Sequence, residues 1–226
     1  MSGWPKAPME PSSFEQVIVI GASAGGLDAM LTIAGALPAD FTAPILLVQH
    51  IGAHQSHLPE LLDARGPNRA VVARHGDRPV AGTIHVSPPD HHMLLKAGRI
   101  RLLRGPKEHH ARPAINPLFR SAALERGPAV IGVILSGMLD DGAAGLKAIK
   151  DCGGIAVVQD PSDASEPGMP RNALASVNAD HVARARDIAG LLTRLARSGG
   201  RRPALPPSVA LRIEHAASLG QTDIDN

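Results

Sequence analysis

Three residue types that together perform nucleophilic catalysis each follow an apolar run in this chain. Ser23 comes after Val17-Ile18-Val19-Ile20, His50 after the run from Pro44 to Val48, and Asp141 after the run from Ala129 to Leu135. In such a set the imidazole accepts the serine proton, and the carboxylate fixes the ring tautomer and steadies the imidazolium. Gly21-x-Ser23-x-Gly25 also matches the nucleophile-elbow pattern, where the open N–H groups of a helix start lie beside the hydroxyl. The same stretch fits a phosphate-binding turn, or a tight turn with a capping serine. Two further residues of the right types, His75 and Asp160, also follow predicted strands, so Ser23, His75 and Asp160 form a rival set. Asp140 competes with Asp141, and Asp141, standing before Gly142, reads equally as a helix N-cap.

The elements that must position these residues follow from periodicity. Val17 to Ile20 reads as a strand buried on both faces, followed by a helix from Leu27 to Leu37. The strand, turn and helix order repeats with Pro44 to Val48 and a helix across His57 to Ala64, and a third short run covers Ala70 to Ala73. From Gly76 to Leu103 the texture changes to short strands with hairpin connections, turning at Pro88-Pro89-Asp90 and Ala97-Gly98-Arg99. Gly105 to Pro113 is polar and aperiodic, a loop, and Pro117 to Arg126 resumes a helix. Ala129 to Leu135, Ile155 to Val158 and His181-Val182 predict three more strands. Helices are expected over Ala143 to Asp151, Arg171 to Val177, Ile188 to Arg197 and Val209 to Leu219. Strands alternating with helices imply an α/β fold, a parallel sheet covered on both faces. Ligands bind outside the carboxyl ends of such strands. Residues 1–15 read as a flexible leader, 16–198 as the folded domain and 199–226 as a C-terminal extension.

Composition narrows the function. The 226 residues are 44% hydrophobic, enough for one substantial domain, with no Tyr, one Trp and three Phe. That aromatic poverty argues against single-strand nucleic-acid platforms. Lys and Arg number 23 against 21 Asp and Glu, so a net charge of +2 implies no strong field for nucleic acid or anionic lipid. The lone Cys152 excludes an internal disulfide framework. With no signal peptide and no long apolar run, the expectation is a soluble cytoplasmic protein without membrane insertion. His50, His54 and His57 lie near metal-ligand spacings without matching one, and the pairs at 91–92 and 109–110 read as loop residues, so no metal and no cofactor are expected. The alternative function is a non-catalytic or regulatory binding module of the same fold in another signalling pathway; its nucleotide-binding version lacks both the GxGxxG fingerprint and an acidic residue closing the next strand. Nothing in the sequence points to an oligomer.

Several collinear motifs carry a resemblance: Ile20-Gly21-Ala22-Ser23-Ala24-Gly25-Gly26, Val48-Gln49-His50, Gly76-Asp77 with Gly82, Pro88-Pro89-Asp90-His91-His92-Met93, Gly132 to Gly145, and Gly168-Met169-Pro170-Arg171. In order, over roughly Gln16 to Ala196, they resemble the catalytic domain of the chemotaxis protein-glutamate methylesterases (CheB). The resemblance implies a doubly wound sheet with a small antiparallel hairpin over Gly82 to Leu103. It selects Ser23, His50 and Asp141 as the triad, and implies hydrolysis of γ-glutamyl methyl esters on methyl-accepting receptor helices, with possible deamidation of receptor glutamines. Backbone N–H groups of Ala24 and Met138 become candidates for the oxyanion hole, and Arg112, in a His-x-Arg-Pro loop, for holding an acidic receptor surface. Two departures stand out. Ala24 replaces the family's usual Thr after the nucleophile, and a leader of fifteen residues is too short for the usual phosphoacceptor domain. A separate response-regulator or methyltransferase partner is therefore a candidate for control.

Overall fold

The computed structural model describes residues 15–50, 56–198 and 205–218. Seven strands form one parallel sheet: β1 (Val17–Ala22), β2 (Ile45–Gln49), β3 (Arg69–Val72), β4 (Thr83–Val86), β7 (Val130–Ile134), β8 (Ile155–Gln159) and β9 (His181–Ala183), in the order β3-β4-β2-β1-β7-β8-β9. Two more, β5 (His92–Lys96) and β6 (Arg99–Leu103), make a separate antiparallel hairpin. The Val and Ile run of β1 is buried throughout because both of its faces are covered. Ile18, Ile20 and Ala22 face α1 (Gly26–Ala36), α2 (Leu58–Asp63) and α6 (Ala185–Ser198), whereas Val17 and Val19 face α3 (Ile115–Arg126) and α4 (Ala143–Asp151). On that second side α5 (Gly168–Ser176) packs on α4, and α7 (Val209–Ser218) packs on α3 with Leu211 buried.

The α/β class and the sheet-plus-hairpin architecture agree with expectation, and one strand was misplaced. Thr83–Val86 belongs to no hairpin; it runs parallel between β3 and β2, with Ile84, His85 and Val86 buried. Gly and Pro punctuation marks where the chain turns, not which neighbour a strand finds, so only the hairpin at His92–Leu103 survives of that expectation. Helix α3 begins at Ile115, two residues before the expected start at Pro117, and this shift bears on the site below. No described helix is long and apolar enough to cross a membrane. Residues 1–14, nearly all of the expected leader, and residues 51–55, 199–204 and 219–226 lie outside the described residues.

What the topology does for chemistry is simple. Chain order reverses around β1, with β2 on one side and β7 on the other, the switch point at which open parallel sheets form their crevice. β1 and β2 pair Ala22 with Gln49, so Ser23 and His50 leave the sheet side by side. β1 and β7 pair Gly21 with Ile134, which brings the Ser136–Asp141 loop to the other flank of Ser23.

Candidate active site

The turn that carries Ser23 has a defined shape. The Gly26 N–H donates to the Ser23 carbonyl at 3.1 Å while Gly25 sits at φ 68°, ψ 3°, which makes residues 23–26 a type II turn whose third position requires positive φ. Gly25 also has no room for a side chain, since a Cβ there would meet Ser165 and Ser136. The fully buried Ser136 holds this turn in place. Its carbonyl accepts the Ser23 N–H at 2.9 Å, its Oγ donates to the Ala24 carbonyl at 2.9 Å, and the same Oγ accepts the Glu166 N–H at 2.9 Å. Ser136 N–H in turn donates to Gln159 Oε1 at 2.9 Å. With these groups engaged, the N–H of Ala24 and that of Met138 have no protein acceptor among the described residues.

His50 lies between Ser23 and Asp141. Its Nδ1 is 3.1 Å from Ser23 Oγ and its Nε2 is 2.7 Å from Asp141 Oδ2. A carboxylate only accepts, so Nε2 carries the proton and Nδ1 is left to take the serine hydroxyl's hydrogen. The ring nitrogens are thus exchanged relative to the chymotrypsin-type arrangement, where Nε2 faces the serine. The His50 side chain is 21% exposed and the Asp141 side chain fully buried, so one end of the hydrogen-bonded line meets solvent and the other is anchored.

The anchor is the start of α3. Asp141 Oδ2 accepts the Ile115 N–H at 2.6 Å and Oδ1 accepts the Asn116 N–H at 3.0 Å, both first-turn donors that lack an intrahelical partner. Burial alone would push this carboxyl up, but the hydrogen bonds from His50 and Ile115 outweigh it and hold the group below its ordinary 3.8. The N-cap reading of Asp141 is therefore corrected in one respect: it caps α3, not the helix that follows it. Helix α4 has Gly142 at its N-cap, at φ 97° and with no side chain to offer. Its Gly142 and Gly145 N–H groups are accepted instead by Asn116 Oδ1, at 3.1 and 2.7 Å. Two helices thus cap one another through Asp141 and Asn116, and two glycines make the approach feasible. A Cβ on Gly21 would strike Ile115, and one on Gly145 would strike Phe119 and Asn116.

The remaining expected residues fall elsewhere. His75 follows β3, three strand positions from β1, which at about 4.8 Å per strand is roughly 14 Å away, and it rests on the Leu102 backbone and Arg101. Asp160, two positions to the other side, closes its own turn onto Ser162. Asp140 points outward, 62% exposed, to His109. The Arg112 guanidinium is turned inward, onto Asp90 Oδ1 at 2.6 and 2.9 Å and the Gly105 carbonyl at 2.7 Å, so its visible work is to hold the 105–113 loop. Met138 and Leu139 stand exposed on the β7–α4 loop, beside the site. Among the described residues no three His, Cys, Asp or Glu side chains gather as a metal site; His54, part of the histidine set considered from sequence, lies outside them. Sequence reasoning missed Asn116 and Ser136. The Pro at 117 was the available signal for Asn116, because proline favours a helix's first turn and so implies that the helix begins just upstream.

The chain is similar to known proteins over most of this domain. A family model described as CheB methylesterase matches residues 18–192. A putative protein-glutamate methylesterase/protein-glutamine glutaminase of Leptospira interrogans is 40% identical over 182 residues, covering 80% of this chain and 94% of the relative. Protein-glutamate methylesterase/protein-glutamine glutaminase 1 of Burkholderia lata is 40% identical over 183 residues, 80% of this chain but 55% of that longer protein. The crystal structure of the Thermotoga maritima CheB methylesterase catalytic domain superposes with a TM-score of 0.77 at 32% identity, covering 80% of this chain and 98% of that one.

Proposed function

The chain belongs to the CheB methylesterase family, and from that membership we propose that it is a serine hydrolase that removes methyl esters from receptor glutamates, with Ser23, His50 and Asp141 as its triad. The observation that carries the reading is the hydrogen-bonded line from Ser23 through His50 to the buried Asp141, at the ends of three adjacent strands. Residues 16–198 are taken as the catalytic domain, working in the cytoplasm on the helices of methyl-accepting receptors.

In the proposed reaction Ser23 Oγ bonds to the ester carbonyl carbon while His50 Nδ1 takes its proton. Asp141 holds Nε2–H and stabilises the imidazolium. The carbonyl oxygen, now anionic, is met by the open N–H groups of Ala24 and Met138. His50 returns the proton to the methoxy oxygen, and methanol leaves. Water then gives a proton to Nδ1 as its oxygen attacks the acyl carbon, and collapse restores Ser23 Oγ–H and frees the glutamate carboxyl. A receptor glutamine enters the same acyl intermediate with ammonia as the leaving group. Ala24 supplies its N–H but no hydroxyl, so both oxyanion donors in this scheme are backbone groups. Arg112 contributes by shaping the loop beside the site, a reading that fits its internal hydrogen bonds better than direct contact with substrate.

The test is methanol release from a methylated receptor fragment. The wild type releases methanol and Ser23→Ala does not; equal release by both would remove Ser23 from the mechanism.

A further inference from the structure

The loop that precedes α3 contains a tight turn with two histidines at positive φ. Ala111 N–H donates to the Glu108 carbonyl at 2.9 Å and Glu108 N–H to the Ala111 carbonyl at 3.2 Å, while His109 and His110 sit at φ 51° and 61°. This is a two-residue turn of the I′ kind, whose central positions favour Asn and Gly. The base of the turn is fixed by Glu108, which accepts both Arg120 Nη1 and Nη2, at 2.7 and 2.6 Å. The conformation delivers His109 to two partners: Nδ1 lies 3.2 Å from Asp140 Oδ1 and Nε2 lies 3.1 Å from Asn116 Nδ2.

The amide of Asn116 has a forced orientation. Its oxygen already accepts two backbone N–H groups of α4, so its NH2 must face His109, and Nε2 must accept. The Asn116 backbone N–H meanwhile donates to Asp141 Oδ1. We propose that His109 is a positioning residue: by accepting from Asn116 Nδ2 it locks that amide, and the locked amide holds the α3 and α4 starts in the register that aims the Asp141 carboxylate at His50. This rests on the triad reading above. His109 touches neither Ser23 nor His50 in this scheme; it acts only through Asn116.

Two substitutions at His109 separate this role from a turn-forming one. His109→Gln keeps an acceptor at about the reach of Nε2, although Gln suits positive φ poorly. His109→Asn suits the turn better than His does, but reaches only as far as Nδ1, toward Asp140. The positioning role predicts that Gln retains the wild-type kcat for methanol release while Asn and Ala lose about tenfold in kcat with KM unchanged. Melting temperatures are expected in the opposite order, Asn above Gln. His110→Gly relaxes the same turn and keeps full activity. Activity kept by Asn and lost by Gln would overturn the proposal and leave His109 a turn residue. The Ser23→Ala control keeps the two readings apart, because a proposal that fails at His109 while Ser23→Ala is inactive fails alone.

Discussion

Asp141→Asn is the perturbation whose outcome the geometry constrains most. Asp141 accepts three hydrogen bonds from buried or half-buried donors: Ile115 N–H and His50 Nε2–H on Oδ2, and Asn116 N–H on Oδ1. An asparagine has one acceptor oxygen. With that oxygen at the Oδ2 position, the new NH2 confronts the Asn116 N–H, leaving a buried donor unpaired at about 1–3 kcal/mol. The two surviving bonds fall from charge-assisted to neutral, about 1 kcal/mol each. The summed loss of about 3–5 kcal/mol weakens a domain of ordinary stability without unfolding it. With the amide turned the other way, NH2 would face His50, the ring proton would move to Nδ1, and the base would be lost outright. Both placements remove the negative charge beside the imidazolium, so kcat is expected to fall by about 10⁴, the scale of the same exchange in serine proteases. The pH dependence supplies a second reading. The Asp141 carboxyl is held below its ordinary 3.8, so its stabilisation is complete above about pH 4 and is lost as pH falls through its lower folded value. The variant has no such contribution to lose, and the stability gap between wild type and Asp141→Asn should therefore close in acid. Methanol release and urea unfolding at pH 7 and in acid measure both effects. A variant with more than a tenth of wild-type kcat, or a gap that persists unchanged to pH 2, would refute the reasoning, as would an equal loss of rate from Asp160→Asn.

Two other outcomes follow from single contacts. Burial, with Arg120 and Lys96 nearby, pushes His215 of α7 down to about 4 from 6.5, so the undocked helix binds more protons between those values. Docking of α7 on α3 should be complete above about pH 6.5 and weaken toward pH 4, read as faster intrinsic-corrected hydrogen exchange over 209–218 at pH 5 than at pH 7; equal protection at both would sink this account. At Gly21 the Cβ of an alanine would press on Ile115, whose N–H is one of the Asp141 donors. Gly21→Ala should therefore cost about 1–3 kcal/mol in urea unfolding and lower kcat together, and full stability with full activity would show that α3 yields more easily than the packing implies.

What could be read in the sequence was whatever is local. The Val17–Ile20 run and the glycines around Ser23 marked a strand end, and Gln49-His50 and the Asp140-Asp141 pair marked two more, so the three residue types were legible as strand-end groups. Their adjacency was not, because β2, β1 and β7 are neighbours only through a sheet order that the chain visits out of sequence. The family resemblance chose His50 over His75, whereas the physical reason is register: Ala22 pairs with Gln49. Strand β4 was misread for the same cause, since alternation shows that a segment is extended but not which partner it finds. Pro117 marked only that a helix begins just upstream of it; the capping role of Asn116 was not legible, because its partners Gly142 and Gly145 stand 26 and 29 residues along the chain.

The non-local pieces are also the ones that tie stability to chemistry. Here Asp141 supplies the cap of α3, and α3 supplies, through Asn116, the cap of the helix that Asp141 precedes. Neither helix start is satisfied unless the other is in place, so the carboxylate is delivered by the docking of α3 on α4 and not by the loop's own preferences. On the other flank, Ser136 ties the Ser23 turn to β7 and to Glu166 in the same manner. The Ser23 to Asp141 line therefore spans a joint between elements. A change that separates α3 from α4 by a fraction of an ångström lengthens the His50–Asp141 bond before it exposes any core residue, which makes kcat a more sensitive reporter of that packing than the unfolding midpoint.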